Sequence, residues 1–123
     1  MSVGSGAREG RELGERKWAA FFEDLNKRIE DGADFEATIE VVADPTVGTE
    51  AEGLPLNSIT YEDGDDQIAI GVGGRSRRFP AVLWHYVDRP RRMFVSENDD
   101  DDLTALIIES EDEALTLVRL YAP

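Results

Sequence analysis

The stretch from Leu54 to Gly74, LPLNSITYEDGDDQIAIGVGG, constrains the fold of this chain more than any other segment. Ile68, Ile70 and Val72 alternate with Ala69, Gly71 and Gly73, so one face is branched and apolar and the other is nearly bare. Ile59 and Tyr61 supply a matching face on the preceding segment. Alternation with period two specifies β-strands, and the acidic run Glu62–Asp66 between them reads as a turn. The segment is therefore a core hairpin. Its glycines, Gly71, Gly73 and Gly74, mark a bend, a bulge or a close backbone approach, which suits a sheet that curls.

Ahead of the hairpin lies a helix. Trp18, Phe21, Phe22, Leu25 and Ile29 recur at helical spacing, starting near Gly14 or Glu15 and stopping at Gly32. Asp24–Arg28 and Glu23–Lys27 are acid-first i,i+4 pairs on its exposed side. An aromatic stripe of this kind is a docking face for the core. Residues 1–13 are Gly, Ser and charge with no apolar period and read as a disordered leader, leaving 14–123 as a single domain.

Strand patterns fill the rest. Phe35, Ala37, Ile39, Val41 and Ala43 share a face up to the Asp44–Pro45 turn. Val47–Glu52 contains Gly48 and reads as a weaker, bent or edge strand. Residues 79–87 carry bulk on both faces, with Leu83, His85 and Val87 opposed to Val82, Trp84 and Tyr86. A short strand at 92–96 follows, then a closing hairpin of 103–109 and 114–121 around Ser110–Glu113. In that hairpin Leu115, Leu117 and Tyr121 form a second apolar face. The expected architecture is α+β: an N-terminal amphipathic helix packed on a curled, mostly antiparallel six- or seven-stranded sheet or small barrel.

Several motifs resemble a family of small prokaryotic proteins. Glu15-Arg16-Lys17-Trp18-Ala19-Ala20-Phe21-Phe22 is similar to its helix opening, and Leu54-Pro55-Leu56-Asn57-Ser58-Ile59 to its LPL-x-x-I segment. His85-x-Val87-x-x-Pro90-x-x-Met93-x-Val95 is similar to its H-x-I-x-x-P-x-x-I-x-V run, and Leu106–Ser110 with Thr116–Leu120 to its closing hairpin. The family is domain of unknown function 5335. The chain departs from its pattern in the last turn, where Glu113 and Ala114 stand in place of the usual Gly. The resemblance implies no activity and transfers no catalytic residue.

Composition narrows the function classes. The chain of 123 residues has a net charge of −14 and no cysteine, which excludes disulfides, thiolate chemistry and Cys-type zinc sites. Eleven of its thirteen basic residues are Arg. Such an acidic, Lys-poor surface suits a high-salt or high-GC prokaryote, and the lack of an apolar leader points to the cytoplasm, away from membranes. The charge is segmented: residues 29–66 carry a net −12, residues 75–92 a net +5, and residues 93–123 a net −8.

The basic segment is the candidate binding surface: Arg75, Arg77, Arg78, Trp84, His85, Tyr86, Arg89, Arg91 and Arg92. Arginines interleaved with aromatics suit single-stranded nucleic acid through phosphate contact and base stacking. The competing reading pairs these arginines with the chain's own carboxylates or a second subunit. The acid runs at Asp63–Asp66 and Asp99–Asp102 lack the spacing of a calcium loop and read as solvated turns. His85 is the only histidine and has no nucleophile motif around it. The expectation is a non-catalytic interaction or structural module without metal or cofactor. Its partner is a second copy or another protein, and a nucleic-acid-binding small barrel is the alternative.

Overall fold

The structure, a computed structural model, describes residues 10–43, 46–74, 81–98 and 103–121. A short strand β1 (Arg11–Leu13) leads through a 3₁₀ turn into the helix α1 (Trp18–Glu30). Seven strands follow: β2 (Glu36–Ala43), β3 (Thr46–Glu62), β4 (Gln67–Val72), β5 (Leu83–Asp88), β6 (Pro90–Glu97), β7 (Leu103–Ser110) and β8 (Leu115–Tyr121). All pairings are antiparallel, in the order β1-β6-β7-β8-β2-β3-β4-β5. The architecture is α+β as expected, but the sheet has eight strands and is open, neither six- or seven-stranded nor a closed barrel. Among the described residues, no helix is long and apolar enough to cross a membrane.

Two strands differ from the sequence reading, one gained and one formed by fusion. Arg11–Leu13, read from sequence as leader, forms an edge strand on Met93–Val95. Three residues are too few to show alternation, and this strand is held by tertiary contacts. Leu13 is buried, and its carbonyl accepts a 2.8 Å hydrogen bond from Trp18 Nε1. The second difference is β3. The weak segment after Val47 and the first arm of the central hairpin are one strand of 17 residues, and it lies inside the sheet. Against β2 it takes one extra residue twice, between Leu54 and Ala51 and between Ala51 and Thr49. Gly53 sits there at φ +62°, donating its N–H to Thr38 Oγ1 at 3.1 Å. Bulges and a left-handed glycine bend a strand without ending it.

β3 therefore belongs to two ladders. Its first part pairs with β2 and its last part with β4. A third bulge at Asn57 keeps both Leu56 and Ile59 on the core side despite their odd spacing. Beyond Pro55 the strand has lost β2, and α1 covers part of the freed edge. Asn26 of α1 donates Nδ2–H to the Ile59 carbonyl at 2.8 Å and accepts the Ile59 N–H on Oδ1 at 2.9 Å. Its carboxamide replaces the peptide group of a missing strand. On the same helix Trp18, Phe22, Leu25 and Ile29 are buried in the core with Ile39, Ile59, Ile68, Ile70, Met93, Leu106 and Ile108. The helix stops at Gly32, φ +108°, as its sequence indicates.

Three connections meet at one end of the molecule. Arg89 alone links β5, the last strand in the order, to β6, the second. Its N–H donates to the Asp66 carbonyl in the β3–β4 turn, and its carbonyl accepts the Glu111 N–H in the β7–β8 turn. Asp66, Arg89 and Glu113 all have positive φ, at 49°, 48° and 71°. Such conformations carry a steric penalty in any residue with a Cβ. Arg89 also precedes Pro90, which normally drives a residue to extended backbone. In the last turn Glu113 donates its N–H to Ser110, and Ser110 donates to Ala114, forming a three-residue loop whose final position favours Gly.

Two outcomes follow. Asn26→Leu, which leaves the Ile59 peptide groups without partners, is expected to lower unfolding free energy by about 2 kcal/mol in denaturant titration. Glu113→Gly is expected to raise it by about 1 kcal/mol, because the turn already holds the backbone that glycine tolerates.

Candidate interaction surfaces

The Gly-rich end of β4 has a specific purpose. Gly71 lies opposite Trp84 in the β4–β5 ladder, and Ala69 lies opposite Tyr86. A Cβ on Gly71 would sit 2.8 Å from Trp84 Cη2, so the indole lies across the bare backbone. Gly73, at φ +103°, makes the same room for Val82. This is the close approach that the glycines signalled. The Trp84 and Tyr86 rings are nearly parallel, 22° apart with centroids 6.5 Å apart, and both are exposed on the outer face, at 43% and 50%. Val82 and Leu83 are exposed as well, at 82% and 38%.

His85 points the other way, to the core side of β5. Its Nδ1 stands 3.8 Å from Glu50 Oε1 on the first part of β3. Partial burial lowers its pKa, and the Glu50 carboxylate opposes that shift. Two adjoining cavities, of about 560 and 530 Å³, run along α1 and the end of β3, with Ala19 and Tyr61 in both linings and His85 in neither. The Tyr61 hydroxyl donates to Asp66 Oδ1 at 3.1 Å. Desolvation, and then that hydrogen bond and charge, push its pKa up to about 12.

The arginines do not gather around Trp84. Arg75, Arg77 and Arg78 lie outside the described residues, as do the acids Asp99–Asp102. Arg89 is at the corner, 3.7 Å from Glu111. Arg91 is exposed at a bulge where β6 departs from register with β7. Arg92 stands over the Phe94 ring, 5.0 Å from its centroid, and reaches Glu12 at 3.1 Å and Glu109 at 4.0 Å. The hydrogen bond from Arg92 holds the Glu12 carboxyl below its usual range. Two of the three described arginines of this segment are thus paired with the chain's own carboxylates, and β6 is far from β5 in the strand order.

The sequence left most of one surface undetected. On the six strands from β1 to β3, the residues facing away from the core fall into rows. Register aligns Glu12, Phe94, Ile107, Leu117, Glu40 and Thr49 in one row. Arg92, Glu109, Leu115, Val42 and Val47 form the next. Antiparallel sheets with a solvated face normally present polar residues there. Here Phe94, Ile107, Leu117, Leu115, Val42 and Val47 make one apolar field, and none belongs to the buried core. Its charged members are matched: Arg92 pairs with Glu12 and Glu109, and Arg119 with Glu40 at 3.5 Å. Leu115 and Leu117 were legible in sequence, whereas Ile107 is hidden in the continuous run Leu106–Ile108.

These features define a one-helix α+β protein on an open antiparallel sheet. The chain matches the model of the family of unknown function DUF5335 over residues 9–123 and belongs to that family. No curated protein and no solved structure matches the chain.

Gly71→Val is expected to displace the Trp84 indole and lower stability by about 1–3 kcal/mol, as overpacking does. Acrylamide quenching checks the displacement, because Trp18 is fully buried and only Trp84 meets solvent.

Proposed function

We propose that this chain is a non-catalytic interaction module that self-associates through the outer face of its six-stranded part. The apolar field of Phe94, Ile107, Leu117, Leu115, Val42 and Val47 carries the reading. Val47 is exposed and the other five are half-buried; contiguous apolar area turned to solvent is characteristic of association sites. With the adjoining row of Ser96, Ala105, Arg119 and Thr38, six strands at about 4.8 Å spacing and three rows of outward side chains span roughly 500 Å² in projection. Face-to-face packing of two such fields reaches about 1,000 Å² in total, the lower range of specific interfaces.

Charge favours a second copy as the occupant. The chain carries −14, and two copies repel. Within these rows Glu12, Glu40 and Glu109 against Arg92 and Arg119 leave a net charge of only −1. Apolar residues with matched charges beside them suit isologous pairing. Less supports nucleic acid, since Arg89 and Arg92 pair with carboxylates of the same chain and the overall charge opposes a polyanion.

Leu117→Glu tests the reading by light scattering coupled to size exclusion. The wild-type chain is expected to form at least a dimer at micromolar concentration and elevated salt, and the variant is expected to weaken that association at least about tenfold with unchanged circular dichroism. A wild-type chain that stays monomeric at several hundred micromolar overturns the reading.

A further inference from the structure

β5 is the last strand of the sheet, paired with β4 on one side and with nothing on the other among the described residues. The hydrogen bonds of Asn26 establish which of its peptide groups are open. Ile59 directs its N–H and C=O to Asn26, away from β4. Its cross-strand neighbour Ile70 therefore directs its own groups away from β3 and toward His85 of β5. Register along β4 and β5 is regular from Gln67 to Val72, so Trp84, Tyr86 and Asp88 direct their N–H and C=O groups outward. None of those groups has a protein partner among the described residues.

Among the described residues, the Leu83–Val87 part of this edge lacks most of the features that normally protect one. Leu83–Val87 contains no Pro, no Lys, no formal charge and no bulge. Charged residues, prolines and bulges are what usually keep edge strands from pairing. Two exposed, flat-lying aromatic rings stand beside the open groups instead.

We infer that β5 pairs antiparallel with β5 of a second copy, with the two-fold axis at the His85 pair. In this register Trp84 lies opposite Tyr86 of the second copy, and Tyr86 opposite its Trp84. All four residues exchange their outward N–H and C=O groups. Aromatic residues then meet at both positions on one continuous face, a favourable cross-strand combination. Asp88 lies opposite Val82 of the second copy, so neither Asp88 meets a like charge. The neighbouring registers are worse. A Tyr86–Tyr86 centre sets Trp84 against a carboxylate, and a Trp84–Trp84 centre leaves Asp88 beyond the ladder. Net repulsion between chains of charge −14 makes this pairing stronger as salt rises.

The edge is distinct from the apolar face proposed above, and the test separates the two. His85→Cys is introduced together with Leu117→Glu, in a chain with no cysteine of its own. Directly opposed residues at a pair of this type have Cα atoms about 4.5 Å apart, within disulfide range. Mild oxidation by oxidised glutathione is expected to yield a covalent dimer at least about tenfold faster than a Tyr121→Cys control in the same background. Equal rates overturn the register. Because the cysteine variant can be destabilised, amide exchange of the chain carrying Leu117→Glu alone provides the second measurement. The Trp84 and Tyr86 amides are expected to slow at least about tenfold between low micromolar and millimolar chain concentration. Exchange independent of concentration overturns edge pairing altogether.

Discussion

The fold depends on one strand serving two ladders. β3 pairs with β2 over its first part and with β4 over its last, so the chain must both bend it and replace the neighbour it loses. Bulges and the left-handed Gly53 do the first. Asn26 does the second, supplying one donor and one acceptor to Ile59 where no strand is available. A half-buried peptide group without a partner destabilises a fold by more than a made hydrogen bond stabilises it. This short contact therefore fixes α1 beside the sheet. Trp18, Phe22, Leu25 and Ile29 then fill the core that the bent sheet encloses.

The opposite demand is met at the far end, where β5 must reach β6 across the strand order in a single residue. Arg89 makes that corner in a conformation that neither its side chain nor the following proline favours. It persists because its N–H and C=O are held by the two neighbouring turns, at 2.8 and 2.9 Å. The corner also explains why the basic segment does not become one patch. Trp84 and Tyr86 end on one edge of the sheet, while Arg92 goes to β6 and finds Glu12 and Glu109 there.

Acidity shapes which surfaces remain available. A net charge of −14 disfavours contact between copies unless it occurs where charge is locally matched or absent. Two places meet that condition. The outer face of the six-stranded part balances its carboxylates with Arg92 and Arg119. The β5 edge carries no charge until Asp88. The glycines of β4 serve the second place by letting Trp84 and Val82 lie close to the backbone, which keeps that edge flat.

Much of the molecule was legible in the sequence, because strict periodicity reports burial directly. The stripe from Trp18 to Ile29, the alternation of Ile68, Ile70 and Val72, and the stop at Gly32 all hold in the structure. The motif order also identified the family. What the sequence could not determine rests on pairing between distant segments. Arg11–Leu13 is a strand only because Met93–Val95 lies beside it. Val47–Glu52 continues into the hairpin only because β2 accommodates its bulges. Phe94, Ile107, Leu117 and Val42 form one field only through cross-strand register, which a linear pattern does not contain. Alternation tells which residues share a face of their own strand. Tertiary structure alone decides which strands stand side by side, and so which faces join and which edge stays open.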